Sequence, residues 1–228
     1  MTFESSLILE SLPRLMDGLW VTLRLFVLAL TCGTVLAVGM VLLRISSRKY
    51  LSWPVMAYIY VFRGTPILVQ LFVIYYGLPQ LEFIRTGPLW PFFREPFFCA
   101  WFALTLNIGA YTTEIFRGGI LGVNKGLLEA SKALGMTYAQ TFRKVTAPIA
   151  FKLCLPAYSN EMISVLKATA LASTVTIFDV TGVARKIVAE TFAPYEIFLS
   201  AAIIYLILAW IIQNGVRLLE RRISRYAN

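Results

Sequence analysis

Glu129-Ala130-Ser131-Lys132-Ala133-Leu134-Gly135 is a short, charged, small-residue segment set between long apolar ones, and it ends in glycine. A membrane chain has no need of such an element for its own stability, so the segment reads as a handle held out for a soluble partner. Composition supplies the membrane half of that statement. Of the 228 residues, 58% are hydrophobic and mean hydropathy is +0.72, too apolar for a soluble domain of this length. A spanning helix needs about 20 mostly apolar residues. Five stretches qualify, near 19–43, 53–78, 97–116, 142–166 and 195–216. The expected fold is an all-α polytopic membrane domain covering 1–228, with an extracytoplasmic segment over about 1–18. Glu4, Glu10 and Asp17 lie in that segment without a basic run, so it does not read as a cleavable signal.

The formal charge of +9 invites a nucleic-acid reading, which its distribution excludes. Arg44, Arg48 and Lys49 fill the link after the first stretch. Arg117, Lys125, Lys132, Arg143 and Lys144 face the single acid Glu129 in the link after the third. The tail carries Arg217, Arg221, Arg222 and Arg225 against Glu220. The other links balance their charges: Arg85 and Arg94 with Glu82 and Glu95, then Lys167, Arg185 and Lys186 with Asp179, Glu190 and Glu196. Basic and neutral sides alternate, as the positive-inside rule requires. The expected topology has five spans, the N-terminus outside and the C-terminus in the cytoplasm. The three cysteines, Cys32, Cys99 and Cys154, all fall inside spans and read as small packing residues.

That topology puts the Glu129 segment on the cytoplasmic side as a short helix near 126–134. Leu127, Ala130 and Leu134 share one face. Glu129 is expected in the first turn, where the helix dipole favours an acid, and Gly135 at the left-handed position that stops the helix. Thr137-Tyr138-Ala139-Gln140 has the form of a capping box opening the next helix. Small side chains at Ala130, Ser131 and Ala133 would let another protein approach closely. The alternative is a helix that only lies on lipid headgroups.

Resemblance narrows these choices. Glu129-Ala130-Ser131, three residues, Gly135, nine residues, then Val145-Thr146-Ala147-Pro148 resembles the EAA loop of ATP-binding-cassette importer permeases. Ser131, Val145 and Ala147 depart from that pattern conservatively. Phe62-Arg63-Gly64-Thr65-Pro66, Leu106-Asn107-Ile108-Gly109-Ala110-Tyr111 with Glu114, and Leu155-Pro156-Ala157-Tyr158-Ser159-Asn160-Glu161 resemble the permeases of polar amino-acid importers, in the histidine, lysine/arginine/ornithine and opine branch. The resemblance implies half of a translocation path worked by alternating access in a bacterial cytoplasmic (inner) membrane. It also implies two ATPase subunits carrying ATP and Mg, a second permease chain (a homologous heterodimer partner being the expectation) and an extracytoplasmic binding protein. Glu129, Ala130, Ser131 and Gly135 then couple the permease to the ATPase.

The residues add detail and exclusions. Gly118-Gly119-Ile120-Leu121-Gly122 lacks the lysine and hydroxyl of a phosphate-cradling loop, so the chain should not hydrolyse ATP itself and needs no cofactor of its own. With no histidine and no converging acid pair beyond Glu114 and Glu161, neither a metal site nor a membrane-embedded enzyme is expected. An ion-gradient-driven secondary transporter is the alternative function, though paired inverted repeats are absent. Arg63, Gly64 and Pro66 should break the second span or gate it, and a half-helix beginning near Pro66, with Thr65, could receive a carboxylate. A packed proline kink is the plainer outcome. Asn107, Tyr111 and Glu114 share a face at i, i+4, i+7, with Arg117 placed to neutralise Glu114. Asn160 and Glu161 follow Pro156, and Glu161 has no basic residue a turn away. Its partner is a cationic substrate, Arg63 on another span, or neither. Substrate-binding candidates are therefore Thr65, Asn107, Tyr111, Glu114, Asn160 and Glu161.

Overall fold

The computed structural model describes residues 5–225; Glu4 and the side chain of Arg225 lie outside what is described. The described chain is helical, and its elements are arranged around α6 (Pro96–Leu121). Pro96 opens that helix at its first turn, where the missing N–H costs nothing. α1 (Ser5–Arg44) packs along it most extensively, followed by α9 (Ala147–Thr169). The α1–α6 approach is close because Gly33 has no side chain. A Cβ there would lie 2.6 Å from Cγ2 of Ile108. Between apolar helices in lipid, such close packing supplies much of the attraction. Leu25, Ala29, Ala103, Leu104, Ile108, Val165 and Leu166 fill the resulting core.

α1 starts at Ser5, well ahead of the expected start near 19. The cause is tertiary. Leu15, fully buried, enters a second core with Val180, Ala184 and Ile187 of α10 (Val180–Thr191) and Ile197 and Ala201 of α11 (Pro194–Arg225). Asp179 caps α10 by accepting from the N–H of Thr181 and Gly182, and Tyr205 donates to the same carboxylate at 2.9 Å. Thr22 of α1 accepts the N–H of Val180. α10 is thus fastened to both long helices.

By length and apolarity, α1 and α11 can each cross a membrane. Two bent pairs can count as further spans. One joins α2 (Lys49–Gly64) to Ile67–Gln80 with a bend of 105°, the other joins Tyr138–Val175 to α10 with a bend of 48°. α6 is absent from that set because Asn107, Tyr111 and Glu114 dilute its apolarity. Its central position explains the dilution, since its partners are other helices rather than lipid. Outward faces carry large apolar side chains instead, Trp20 and Val35 on α1 and Leu206 and Trp210 on α11, each at least 65% exposed. An aqueous surface rarely tolerates ridges of that kind.

Candidate substrate cavity and the Glu129 corner

The second apolar stretch is broken where the sequence is least helical. α2 ends at Gly64, Thr65 and Pro66 are extended, and α3 (Ile67–Phe72) starts afresh with Pro66 as its cap. Pro66 cannot supply the N–H that a continuous helix needs, and the residue before a proline avoids helical backbone. The carbonyl of Pro66 accepts from the N–H of Val69 and Gln70. A break leaves carbonyls at the end of α2 without helical partners, and Gln70 covers them. Its side-chain amide lies 2.8 Å from the carbonyl of Phe62, 3.0 Å from that of Thr65 and 2.8 Å from the Thr65 hydroxyl. Asn107 donates to Gln70 Oε1 at 3.0 Å and to the Phe62 carbonyl at 3.3 Å. Sequence reasoning missed Gln70 as a site residue. Its signal was a buried-type polar residue four positions after a proline break.

The break opens a cavity of about 280 Å³ between α3, α6 and α9. Thr65, Asn107, Tyr111 and Glu161 all line it, together with Pro66 and Ser164. Glu161, half-buried, has no hydrogen bond or salt bridge among the described residues. A cavity with one carboxylate, an amide, a phenol and hydroxyls can hold a small zwitterion bearing a cationic group.

Two of the six substrate candidates lie elsewhere. Glu114 faces a separate recess of about 340 Å³ with Arg44, Tyr60, Arg63 and Gly64. Its carboxylate binds Arg117 at 2.7 Å, the pairing read from the i,i+3 spacing, and also Arg44 at 3.4 Å. Asn160 is exposed, one turn before Ser164, whose hydroxyl donates to the Asn160 carbonyl. On the same helix Glu161 and Ser164 line the cavity and Asn160 does not. Pro148 and Pro156 do not break the fourth stretch. A π-turn over Phe142–Thr146 precedes Pro148, which then sits in the first turn of α9, while Pro156 is carried inside the helix.

The Glu129 corner is built as its chemistry suggests, with two corrections. α7 (Lys125–Ala133) is capped by Asn124, whose side chain accepts from the N–H of Gly126. Gly135 takes φ +72°, a left-handed value that glycine adopts without strain. Its N–H donates to Lys132 O and that of Met136 to Ser131 O, the double closure of a Schellman motif. Thr137 and Gln140 then form the full capping box of the next turn, α8 (Tyr138–Thr141). Glu129, however, falls in the second turn of α7, beyond the reach of the N-terminal dipole. Ser131 is buried, with its hydroxyl bonded to Leu127 O at 2.7 Å, so its side chain faces the chain's own interior rather than the exposed edge. Glu129 and Ala130 are exposed, and Leu134 and Tyr138 are about 80% exposed beside them. A helix closed at both ends and bearing an exposed apolar edge has the makings of a rigid docking element.

Other positions are resolved locally. Arg24 stacks over Phe97, 5.1 Å from the ring centroid, rather than reaching away from the helices. In the Gly87–Pro96 stretch only Trp90–Phe93 makes a turn of helix (α5), and Phe93 packs edge-on against Phe98 and Phe102. Cys99 and Cys154 are buried, each thiol donating to a backbone carbonyl.

A helical membrane domain with a broken span, a polar cavity at the break and a rigid exposed corner defines a permease component of a transport system. The chain belongs to the family of binding-protein-dependent transport system inner membrane components, whose pattern residues 29–225 match. It is 44% identical over 220 residues to the octopine transport system permease protein OccM of Rhizobium radiobacter, covering 96% of this chain and 90% of the relative. It is 43% identical over 206 residues to the histidine/lysine/arginine/ornithine transport system permease protein HisM of Escherichia coli K12, covering 90% and 87%. A solved amino acid ABC transporter, crystallised with histidines, superposes with a TM-score of 0.88 at 36% identity, covering 97% of this chain and all of that one. The chain is therefore a permease subunit of an ATP-binding-cassette transport system and not itself a catalyst. A secondary transporter is not favoured.

Proposed function

We propose that this chain forms half of the translocation path of an ATP-driven importer for polar amino acids carrying a cationic group, or for opines, in a bacterial inner membrane. Glu161, lining a cavity and without a hydrogen bond or salt bridge among the described residues, is the observation that carries this reading. An ionisable group inside a span is expensive and finds a partner, and a substrate ammonium or guanidinium is one. The octopine and histidine/lysine/arginine/ornithine systems named for the relatives support that class.

In this reading the chain crosses the membrane five times, α2 with α3 making one broken span and α6 the central one, with the basic links and C-terminus in the cytoplasm. The α7 corner then faces the ATPase. Two ATPase subunits bind ATP and Mg, close, and push Glu129, Ala130 and the exposed edge at Leu134. A second, homologous permease chain completes the path, and an extracytoplasmic binding protein delivers substrate. Nucleotide state thereby biases the permease between inward- and outward-facing arrangements. The Gly64–Pro66 break and Arg63 sit where such a change is absorbed with least loss of helix.

Uptake of labelled arginine in cells lacking and then regaining the chain tests this. Uptake should return with the chain, stop when ATP is depleted, and survive a collapsed proton gradient at preserved ATP. Restored uptake that follows the gradient would overturn the ATP-driven reading. Restored uptake of neutral amino acids alone would overturn the cationic one.

A further inference from the structure

We propose that the apolar groove between α1, α6 and the start of α9 seats one acyl chain of an anionic phospholipid, whose headgroup rests on Arg143 and Lys144. It rests on the proposed topology, in which the link after α6 lies in the cytoplasm, and is independent of which substrate the importer carries.

The groove has a volume of about 370 Å³. Val38 and Val41 of α1, Phe116 and Ile120 of α6, Phe142 of the π-turn and Phe151 of α9 wall it. Among the described lining residues only Thr34 and Cys154 carry polar side-chain groups, and both are spent within the fold. The Thr34 hydroxyl donates to Leu30 O at 2.7 Å and accepts from the Tyr158 hydroxyl. The Cys154 thiol donates to Ile115 O at 3.3 Å. α6 and α9 meet closely here because Gly119 has no side chain. A Cβ there would collide with Sγ of Cys154 and lie 2.8 Å from the Ala150 carbonyl oxygen. A hollow with its polar groups already bonded penalises a polar ligand and suits hydrocarbon.

Position and charge choose the occupant. The groove shares no lining residue with the Glu161 cavity, where a second permease chain would complete the path. Val38 and Phe151 on its walls are about half exposed, and Val35 on the outward face of α1 is 69% exposed. The groove therefore opens toward the side of the helices that meets lipid. Phe142, at its cytoplasmic end, is followed at once by Arg143 and Lys144, both exposed and neither bonded among the described residues. From Leu121 to Thr146 the chain has one acid, Glu129, against four basic residues. Basic side chains at the cytoplasmic edge of a bilayer attract anionic headgroups, and a guanidinium forms strong charge-assisted bonds to phosphate. A phosphodiester on the two cations, with its chain in the groove below, satisfies both ends of the site. That chain lies against the π-turn, which leads through α8 to the Glu129 corner.

The test uses the intact importer in phosphatidylcholine nanodiscs containing a trace of phosphatidylglycerol or of phosphatidylcholine with a diazirine in one acyl chain. After irradiation, labelled peptides are located by mass spectrometry. Wild type is compared with V38W, which fills the groove from α1, with V35W, which adds the same bulk to the outward face, and with R143Q/K144Q. Label from the phosphatidylglycerol probe should concentrate in 34–41 and 147–154, about tenfold above the phosphatidylcholine probe, as two basic residues near a membrane surface allow. V38W should remove most of that label and V35W should not. R143Q/K144Q should bring the two probes within about twofold of each other. Equal labelling by both probes in wild type would overturn the anionic site. Label spread evenly over the exposed faces of α1 and α11 would overturn it by showing bulk lipid only. A groove left unlabelled in the intact importer would overturn it by showing that another chain covers it. If V38W does not assemble, the wild-type ratio and the double variant still decide. Labelling is read without transport, so its failure leaves the import reading to the uptake assay.

Discussion

Two glutamates face separate cavities, Glu161 the one that Tyr111 lines and Glu114 the one that Arg63 lines, and the protein treats them oppositely. Glu114 is bonded to Arg117 one turn away and paired with Arg44 from α1, so its charge is spent within the fold. Glu161 sits in a cavity of similar size with no salt bridge among the described residues. The side chain is the same, and both are partly buried. What differs is whether the helices bring a cation to it. A carboxylate satisfied internally holds helices together, and one left unsatisfied is available to a ligand. Position within a span therefore does not separate structural from functional acids. Partner count does.

The largest effect expected from breaking this contrast is on stability. E114Q leaves Arg117 and Arg44 facing each other across a neutral amide, in a partly buried recess. We expect a loss of about 3 kcal/mol, seen as a lower unfolding temperature and reduced yield in detergent. E161Q should leave the unfolding temperature at or above wild type, because it removes a desolvated charge and breaks no bond. Equal destabilisation by the two would erase the distinction drawn here.

A smaller effect is expected at the clamp that holds the cavity open. Q70A removes the amide that covers the Phe62 and Thr65 carbonyls and the acceptor used by Asn107. The expected cost is about 1–2 kcal/mol, together with slower arginine uptake, since the break no longer holds Thr65 at the cavity wall. Unaltered uptake at reduced stability would assign Gln70 to the fold alone.

The smallest effect belongs to a third glutamate, exposed and paired. Glu190 of α10 accepts from Arg14 of α1 at 2.7 Å, and that guanidinium holds its carboxyl below the usual carboxylate range. A lowered folded-state value means the pair's contribution is present above the ordinary glutamate value and is lost as pH falls through the folded one. Surface pairs contribute little, and Asp179, Thr22 and Tyr205 already fasten α10. E190Q should therefore leave the unfolding temperature at neutral pH nearly unchanged and flatten its decline only in acid, measured by thermal scans across pH. A large loss at neutral pH would show the pair to be a main fastening of α10.

These differences also explain what was legible in the sequence. The break at Gly64-Thr65-Pro66, the left-handed Gly135, the Thr137–Gln140 box and the Glu114–Arg117 pair are all local, and each is written within a few residues by backbone chemistry. Arg44 reaching Glu114, Asn107 reaching Gln70 and Tyr205 reaching Asp179 depend on how separate helices rotate against each other. No spacing encodes that. The same limit hid the inward turn of Ser131 and the outward one of Asn160. The early start of α1 was hidden because residues before 19 look weakly apolar, and only the α10–α11 core makes them helical.

The central claim is that Glu161, and not Glu114, holds its charge in reserve for the substrate. Displacement of labelled arginine by citrulline, run side by side on E161Q and E114Q in the intact importer, tests it most directly. The account predicts that E161Q lowers the preference for arginine about thirtyfold, some 2 kcal/mol for a lost partner of a desolvated charge, while E114Q keeps the wild-type preference in whatever protein remains folded. A preference that survives E161Q and collapses in E114Q would contradict it.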